Sequence, residues 1–318
     1  MFSISSKSFS GFNIFVLSDD SNGTYLEIIP ECGAILRSFN ILIGKIPFNV
    51  VKSYNSREDF DNNVESLGFL GCKLSPFVCR LKNGKYRFGK RDYTIAKYYL
   101  GDNALHGLLY DRSFEVIQQN SDENSSSIKM VYRYRADDSG YPFNYDCIVT
   151  YELEKNNIVN VITESVNCDK GLIPIQDGWH PYFTLGDQID NLQLEFQSNE
   201  IVVFDNNLIP TGELKKYDEF CNIRTIGDTV LDNCFSLNFA ECQPMCVLRN
   251  PLKNLELGIY PDKSYPYLQI YTPPHRESIA IENISSAPDA FNNNLGTRVL
   301  GRDESAIFKT SYKISLLS

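Results

Sequence analysis

The sequence predicts an all-β chain, folded as one large antiparallel β-sandwich or barrel, with residues 1–318 forming a single domain. Three observations carry that prediction. Apolar and polar residues alternate with a period of two along many short runs. Gly- and Asn-containing turn signals separate those runs. No stretch of about a dozen residues keeps the helical period, while an aromatic content of 13%, with 20 Phe and 19 Tyr, favours strands.

In chain order, Thr24 to Ile29 mixes alternation with β-forming residues, after a loop at Ser21-Asn-Gly23. A short helix fits Asn55 to Val64. Asn83-Gly84, between Leu81 and Tyr86-Arg-Phe88, reads as the turn of a hairpin. Ser127 to Tyr134, Tyr145 to Leu153 and Ile158 to Val166 alternate again, with a loop at Asp138-Ser-Gly140 and a turn at Asn156-Asn157. Near the end, Ala306, Phe308, Thr310, Tyr312 and Ile314 mark alternate positions of one strand. No linker composition and no long repeat divides the chain, and closing this much sheet would bury most strand edges.

Composition narrows the function. With 42% hydrophobic and 22% charged residues, the 318-residue chain is neither disordered nor collagen-like nor a coiled coil. Thirty basic against 40 acidic residues give a net charge of −10, without any Lys/Arg run. Nucleic acid and anionic membrane are therefore not expected partners, and an uncharged small-molecule ligand is. No run is apolar enough for a membrane helix, and the first twenty residues do not read as a signal peptide. Nine cysteines at irregular spacing, with only Cys242 and Cys246 four apart, read as free and mostly buried thiols of a reducing, cytoplasmic compartment. Nucleotide loops, the serine-hydrolase elbow and the H-E-x-x-H zinc pattern are all missing, so neither cofactor nor metal is expected.

Several clusters could carry chemistry, each with an ordinary structural role as its alternative. Asn103-Ala-Leu-His106-Gly107 sets a histidine beside a glycine. Gly178-Trp179-His180-Pro181-Tyr182-Phe183 joins the only Trp to a histidine and two further aromatics, and aromatic faces suit the C–H side of a sugar ring. Glu282 ends the apolar run Ser278-Ile-Ala-Ile, on the side of Ser278 and Ala280, where desolvation would raise its pKa toward that of a neutral-pH base. Further candidates are Arg80, before the hairpin and a partner for a ligand hydroxyl, Asp232, an acid in a mixed run, and Gln269, an inward polar group of an alternating run, whereas His275 reads as a loop residue without a role.

Taken in order, these segments resemble the aldose 1-epimerase (galactose mutarotase) family. Leu105-His106-Gly107 is similar to its L-H-G, His180-Pro-Tyr-Phe183 to its H-x-Y-F, and Pro210-Thr-Gly212 to its P-T-G. Asp232 with Phe235 is similar to D-x-x-F, Gln269-Ile-Tyr-Thr272 to Q-x-Y-T, and Glu282 with Pro288-Asp-Ala290 and Asn292 to the closing motif. The resemblance implies a β-supersandwich of the galactose mutarotase-like kind and cofactor-free interconversion of the α and β anomers of a free aldose. It implies Glu282 as base, His180 as acid, His106 as a ring-oxygen partner, and Arg80, Asp232 and Gln269 as hydroxyl ligands; Trp179 adjoins the acid as a candidate stacking wall. The chain departs from the pattern at Cys79 before the arginine, at Leu108 after the glycine, in the run Asn283-Ile-Ser-Ser-Ala287 after the glutamate, and at Trp179 before the acid. An epimerase of phosphorylated hexoses, with Arg87, Lys90 and Arg91 as candidate phosphate partners, and a non-catalytic sugar-binding protein are the alternatives.

Overall fold

The computed structural model describes residues 1–317. Alternation in the sequence becomes alternation in burial. In the strand Ser305–Leu316, Ala306, Phe308, Thr310, Tyr312 and Ile314 all point inward, between more exposed neighbours. Asn144–Glu154 repeats the pattern over eleven residues. Both strands are central to a nine-stranded antiparallel sheet in which the strands Glu115–Ser121, Ser125–Arg135, Asn144–Glu154, Ile158–Asn167, Ser305–Leu316, Leu255–Pro261 and Cys246–Asn250 pair in that order.

A second nine-stranded sheet faces it. Its path runs Pro210–Lys216, Ser198–Phe204, Asp232–Leu237, Tyr267–Tyr271, Ile279–Ile284, Gly178–His180 and Cys72–Leu74. A five-stranded N-terminal sheet, Phe2–Phe9 through Ile46–Asn49, adds a third layer of strands. One hydrophobic cluster draws from all three, including Leu26 and Phe39, Met130 and Phe308, and Phe235 and Ile281. Ring pairs span the gap between the large sheets: Phe183 with Tyr312 at 5.3 Å, and Tyr151 with Trp179 at 5.9 Å. The fold is thus the all-β antiparallel sandwich expected from the sequence.

The turns follow their chemistry with one exception. Asn156 and Asn157 both take left-handed φ angles, 65° and 58°, and join two long strands in a tight hairpin. Asn83-Gly84 does not make the expected hairpin. Arg80–Leu81 pairs with Ala104–Leu105, whereas Lys85–Phe88 pairs with Arg91–Thr94. The two left-handed residues instead form a single 3-10 turn that carries the chain from one small sheet to another. Periodicity located the strands but could not assign their partners. The short helix is present as Arg57–Asn63, capped by the Ser56 hydroxyl, which accepts from the Asp59 amide at 3.0 Å. All nine cysteines are free and six are buried.

Candidate active site

The second large sheet shows one face to the core and the other to a cleft, and strand parity decides which residue goes where. Along Ile279–Ile284, Ile279 and Ile281 enter the main core, while Ala280 and Ile284 belong to smaller clusters on the opposite face, so Glu282 points into the cleft between them. The neighbouring strand places Gln269 directly opposite Glu282, with Leu268 and Ile270 in the core. Asp232 follows on the next strand, opposite Tyr271. His180 and Tyr182 take cleft positions, and Trp179 and Phe183 take core positions.

Trp179 is therefore a correction. It sits one residue from His180 and so on the reverse face, against Tyr151 and under the Lys73 ammonium, 4.4 Å from its ring. It is not a wall of the cleft. The other six candidates, Glu282, His180, His106, Arg80, Asp232 and Gln269, all line one cavity of about 250 Å³.

A small sheet brings the remaining two groups to the cleft. His106 follows the short strand Asn103–Leu105, and Arg80 follows Cys79. His106 and Cys79 are both left-handed, with φ of 59° and 49°, and the His106 amide donates to the Cys79 carbonyl at 2.9 Å. Left-handed non-glycine residues are costly and cluster at functional sites. Asp289 locks the same segment: its amide donates to the Arg80 carbonyl at 2.8 Å, and its carboxylate accepts from the Lys82 amide at 2.9 Å. This gives the Pro288-Asp289-Ala290 motif a local function, holding Arg80 at the cleft.

Gly107 is required for close approach. At φ +76°, a Cβ there would lie 2.3 Å from the Ser75 carbonyl oxygen. Gly107→Ala is expected to lower folding stability by at least about 1 kcal/mol, read by urea unfolding, because the strand contact with Ser75 must open and the adjacent His106 must move.

The cleft is polar, buried and incompletely satisfied. His180 Nε2 lies 3.4 Å from Glu282 Oε1, and the His106 and His180 rings meet edge to face at 4.9 Å. Gln269 donates to Asp232 at 2.9 Å. Glu282 Oε2, His180 Nδ1, His106 Nδ1 and Gln269 Oε1 are buried without a hydrogen-bond partner. All four belong to residues that line the cleft, where they are free to pair with a polar ligand.

Electrostatics set the proton inventory. Burial pushes the Glu282 carboxyl well above its ordinary value; Asp232 adds to the shift and Arg80 opposes it. Burial lowers His180 to about 4. His106 is held well below its usual range by burial, then by His180 and Arg80. Burial also raises Asp232, against Arg80 and the Gln269 hydrogen bond. Burial thus favours the uncharged form of both groups, a carboxyl that can give a proton beside an imidazole that can take one.

Other expected or overlooked positions are plain in the structure. Arg87, Lys90 and Arg91 are on the exposed Lys85–Phe88 and Arg91–Thr94 hairpin, outside the cleft lining, and Arg87 faces Asp92 at 3.9 Å. His275 is exposed and accepts the Glu277 amide within its turn. Phe69, Phe204, Leu208 and Glu65 also line the cleft; they lie on loops and strand ends without a motif, and no pattern in the sequence singles them out. Among the described residues no group of His, Cys, Asp and Glu is arranged to hold a metal ion, and no helix is long and apolar enough to cross a membrane.

The chain has recognisable relatives among known proteins. A family model described as aldose 1-epimerase matches residues 16–313. The uncharacterized protein YihR of Escherichia coli is 26% identical over 242 residues, covering 74% of this chain and 75% of that protein. An aldose 1-epimerase of Streptococcus thermophilus is 24% identical over 209 residues, covering 63% of this chain and 58% of that one. Among solved structures, a galactose mutarotase-like protein from Clostridium acetobutylicum superposes with a TM-score of 0.89 at 17% identity, over 99% of both chains. A galactose 1-epimerase from Lactobacillus acidophilus gives 0.83 at 20% identity, over 100% of this chain and 99% of that one. At these identities the structural likenesses establish the fold.

Proposed function

The chain belongs to the aldose 1-epimerase family, and from that premise we propose that it interconverts the α and β anomers of a free aldohexose by acid–base ring opening and reclosure. The observation that carries the reading is the buried pair of Glu282 and His180, 3.4 Å apart in the cleft.

Ring opening needs a proton taken from the anomeric hydroxyl and another given to the ring oxygen as the C1–O5 bond breaks. Glu282 accepts the first proton and His180 supplies the second. The open aldehyde turns about C1–C2, and the roles exchange when the ring recloses on the other face. A sugar hydroxyl hydrogen-bonded to Glu282, with Arg80 alongside, favours the carboxylate form, the carboxyl proton passing to His180. His106, neutral and in edge contact with His180, hydrogen-bonds near the ring oxygen. Arg80, Asp232 and Gln269 hold ring hydroxyls, which fixes the anomeric centre before proton transfer.

Charge favours a neutral sugar over a phosphorylated one. Arg80 is the one cation lining the cleft among the described residues, beside the carboxyl groups of Glu65, Asp232 and Glu282. A phosphate would need an excess of Arg or Lys there.

The test is polarimetry on freshly dissolved α-D-galactose and α-D-glucose against a no-enzyme blank. Faster relaxation is expected for at least one sugar, and rates equal to the blank for both would overturn the reading. The pH profile adds a second check. Activity requires one proton on the pair. It is expected to fall on the acid side near pH 4, where His180 takes up a second proton. On the alkaline side it falls as Glu282, whose pKa burial raises, gives up its proton, giving a bell-shaped profile.

A further inference from the structure

Building on that reading of the cleft, we propose that the site continues into a second subsite for another hydroxyl-rich ring, so that its preferred substrate is the reducing end of a neutral disaccharide. A cavity of about 380 Å³ adjoins the first, and Arg80, Leu100 and Leu208 line both. Small-molecule sites span roughly 300–1,000 Å³. The first cavity alone falls below that range, whereas the two joined lie well within it.

The chemistry of the second cavity suits a polyol. Its other polar walls are Lys82, Asn83, Asp102, Asn103, Asn206 and Asn207. A side-chain amide both donates and accepts, as a sugar hydroxyl does. Asn103 Oδ1 already accepts from the Asn83 amide at 3.0 Å, which leaves its Nδ2 hydrogens for a ligand. Leu100 and Leu208, at the junction, offer apolar contact to the C–H face of a ring.

Charge argues against an anion. Lys82 is balanced electrostatically by Asp289 and Asp205, and Asp102 lies on the same wall. Arg80 is opposed by Asp232 and Glu282.

The far wall is also preorganised. The Asp205 carboxylate accepts from the Asn207 and Ile209 amides at 2.8 and 3.1 Å, and the Leu208 amide donates to the Asp205 carbonyl at 3.0 Å. A loop already fixed in shape loses little further entropy when it binds.

Initial rates of mutarotation would be compared for glucose, galactose, glucose 6-phosphate and reducing disaccharides linked through O3, O4 or O6, alongside calorimetric binding of the same sugars. At least one disaccharide is expected to exceed its reducing monosaccharide roughly tenfold in kcat/KM, mainly through KM, the equivalent of one or two net hydrogen bonds. The double variant N206A/N207A, at two exposed positions, should bring that ratio close to one. Disaccharides no better than monosaccharides, a ratio untouched by the double variant, or a preference for glucose 6-phosphate would each overturn the subsite. Turnover of monosaccharides without a disaccharide preference would sink the subsite and leave the mutarotase reading standing. Tighter disaccharide binding that depends on Asn206 and Asn207, with no sugar turned over, would do the reverse.

Discussion

Glu282→Gln is expected to slow anomer interconversion by about 10²–10⁴-fold, the usual contribution of a positioned general acid or base, while sugar affinity changes only a few-fold. Glutamine keeps the size of the side chain and can still hydrogen-bond a hydroxyl, but it cannot take the proton. The position is 2% exposed and its Oε2 has no protein partner, so the substitution neither opens a cavity nor breaks an existing bond of that oxygen. Polarimetry gives the rate and calorimetry the affinity. His180→Gln should show a similar loss. The double variant should be little worse than either single one, because two groups that exchange one proton act as a unit. Equal losses in rate and affinity would instead make Glu282 a hydroxyl anchor, and an unchanged rate would remove it from the chemistry.

How far the sequence could see is clearest at Trp179 and His180. The sequence marks this segment by its aromatics and histidine, not by alternation; it folds as a strand of period two, and the histidine faces the cleft. The same periodicity turns its neighbour to the core, where the indole packs on Tyr151 instead of a ligand. Composition had suggested a stacking wall; parity overrules it. Glu282 was legible for the opposite reason, since an isolated carboxylate on one face of an otherwise apolar strand has few sites to go to. The Asn83-Gly84 turn failed at another level. Turn chemistry specified the backbone angles, which are present, but not which strands would pair across it. The loop residues lining the cleft, such as Phe69 and Leu208, were illegible because tertiary contacts alone bring them there. Asp289 stood in a recognisable motif, yet its hydrogen bonds to the Arg80 segment are long-range and invisible to spacing.

Lys73→Met should cost about 3–5 kcal/mol of folding stability at pH 7, the usual result of leaving a buried charge without its partner. Lys73 and Asp177 form an ion pair with no exposure on either side chain. The ammonium also donates to the Gly178 carbonyl at 3.1 Å, and Tyr265 donates to the other Asp177 oxygen at 2.6 Å. Lys73 pairs directly across from Trp179, and the same two strands bring Cys72 opposite His180. The pair therefore clamps the strand that carries the proposed acid. Removing both charges in Lys73→Met/Asp177→Asn should cost less than Lys73→Met alone, since the amide still accepts from Tyr265 and no charge is stranded. The pH dependence has a definite sign. Burial already holds the Asp177 carboxyl above its ordinary value, with Lys73 pulling it back, so loss of Lys73 raises it further. A group whose folded-state pKa is raised favours folding below its unfolded value and loses that benefit as pH rises through the folded one. The deficit of Lys73→Met against the unmodified protein should thus be greatest at pH 7 and shrink toward pH 4, where Asp177 takes up a proton. Urea unfolding at both pH values reads it directly. A deficit independent of pH would mean that lost packing under the indole, and not the stranded carboxylate, is what the substitution removes.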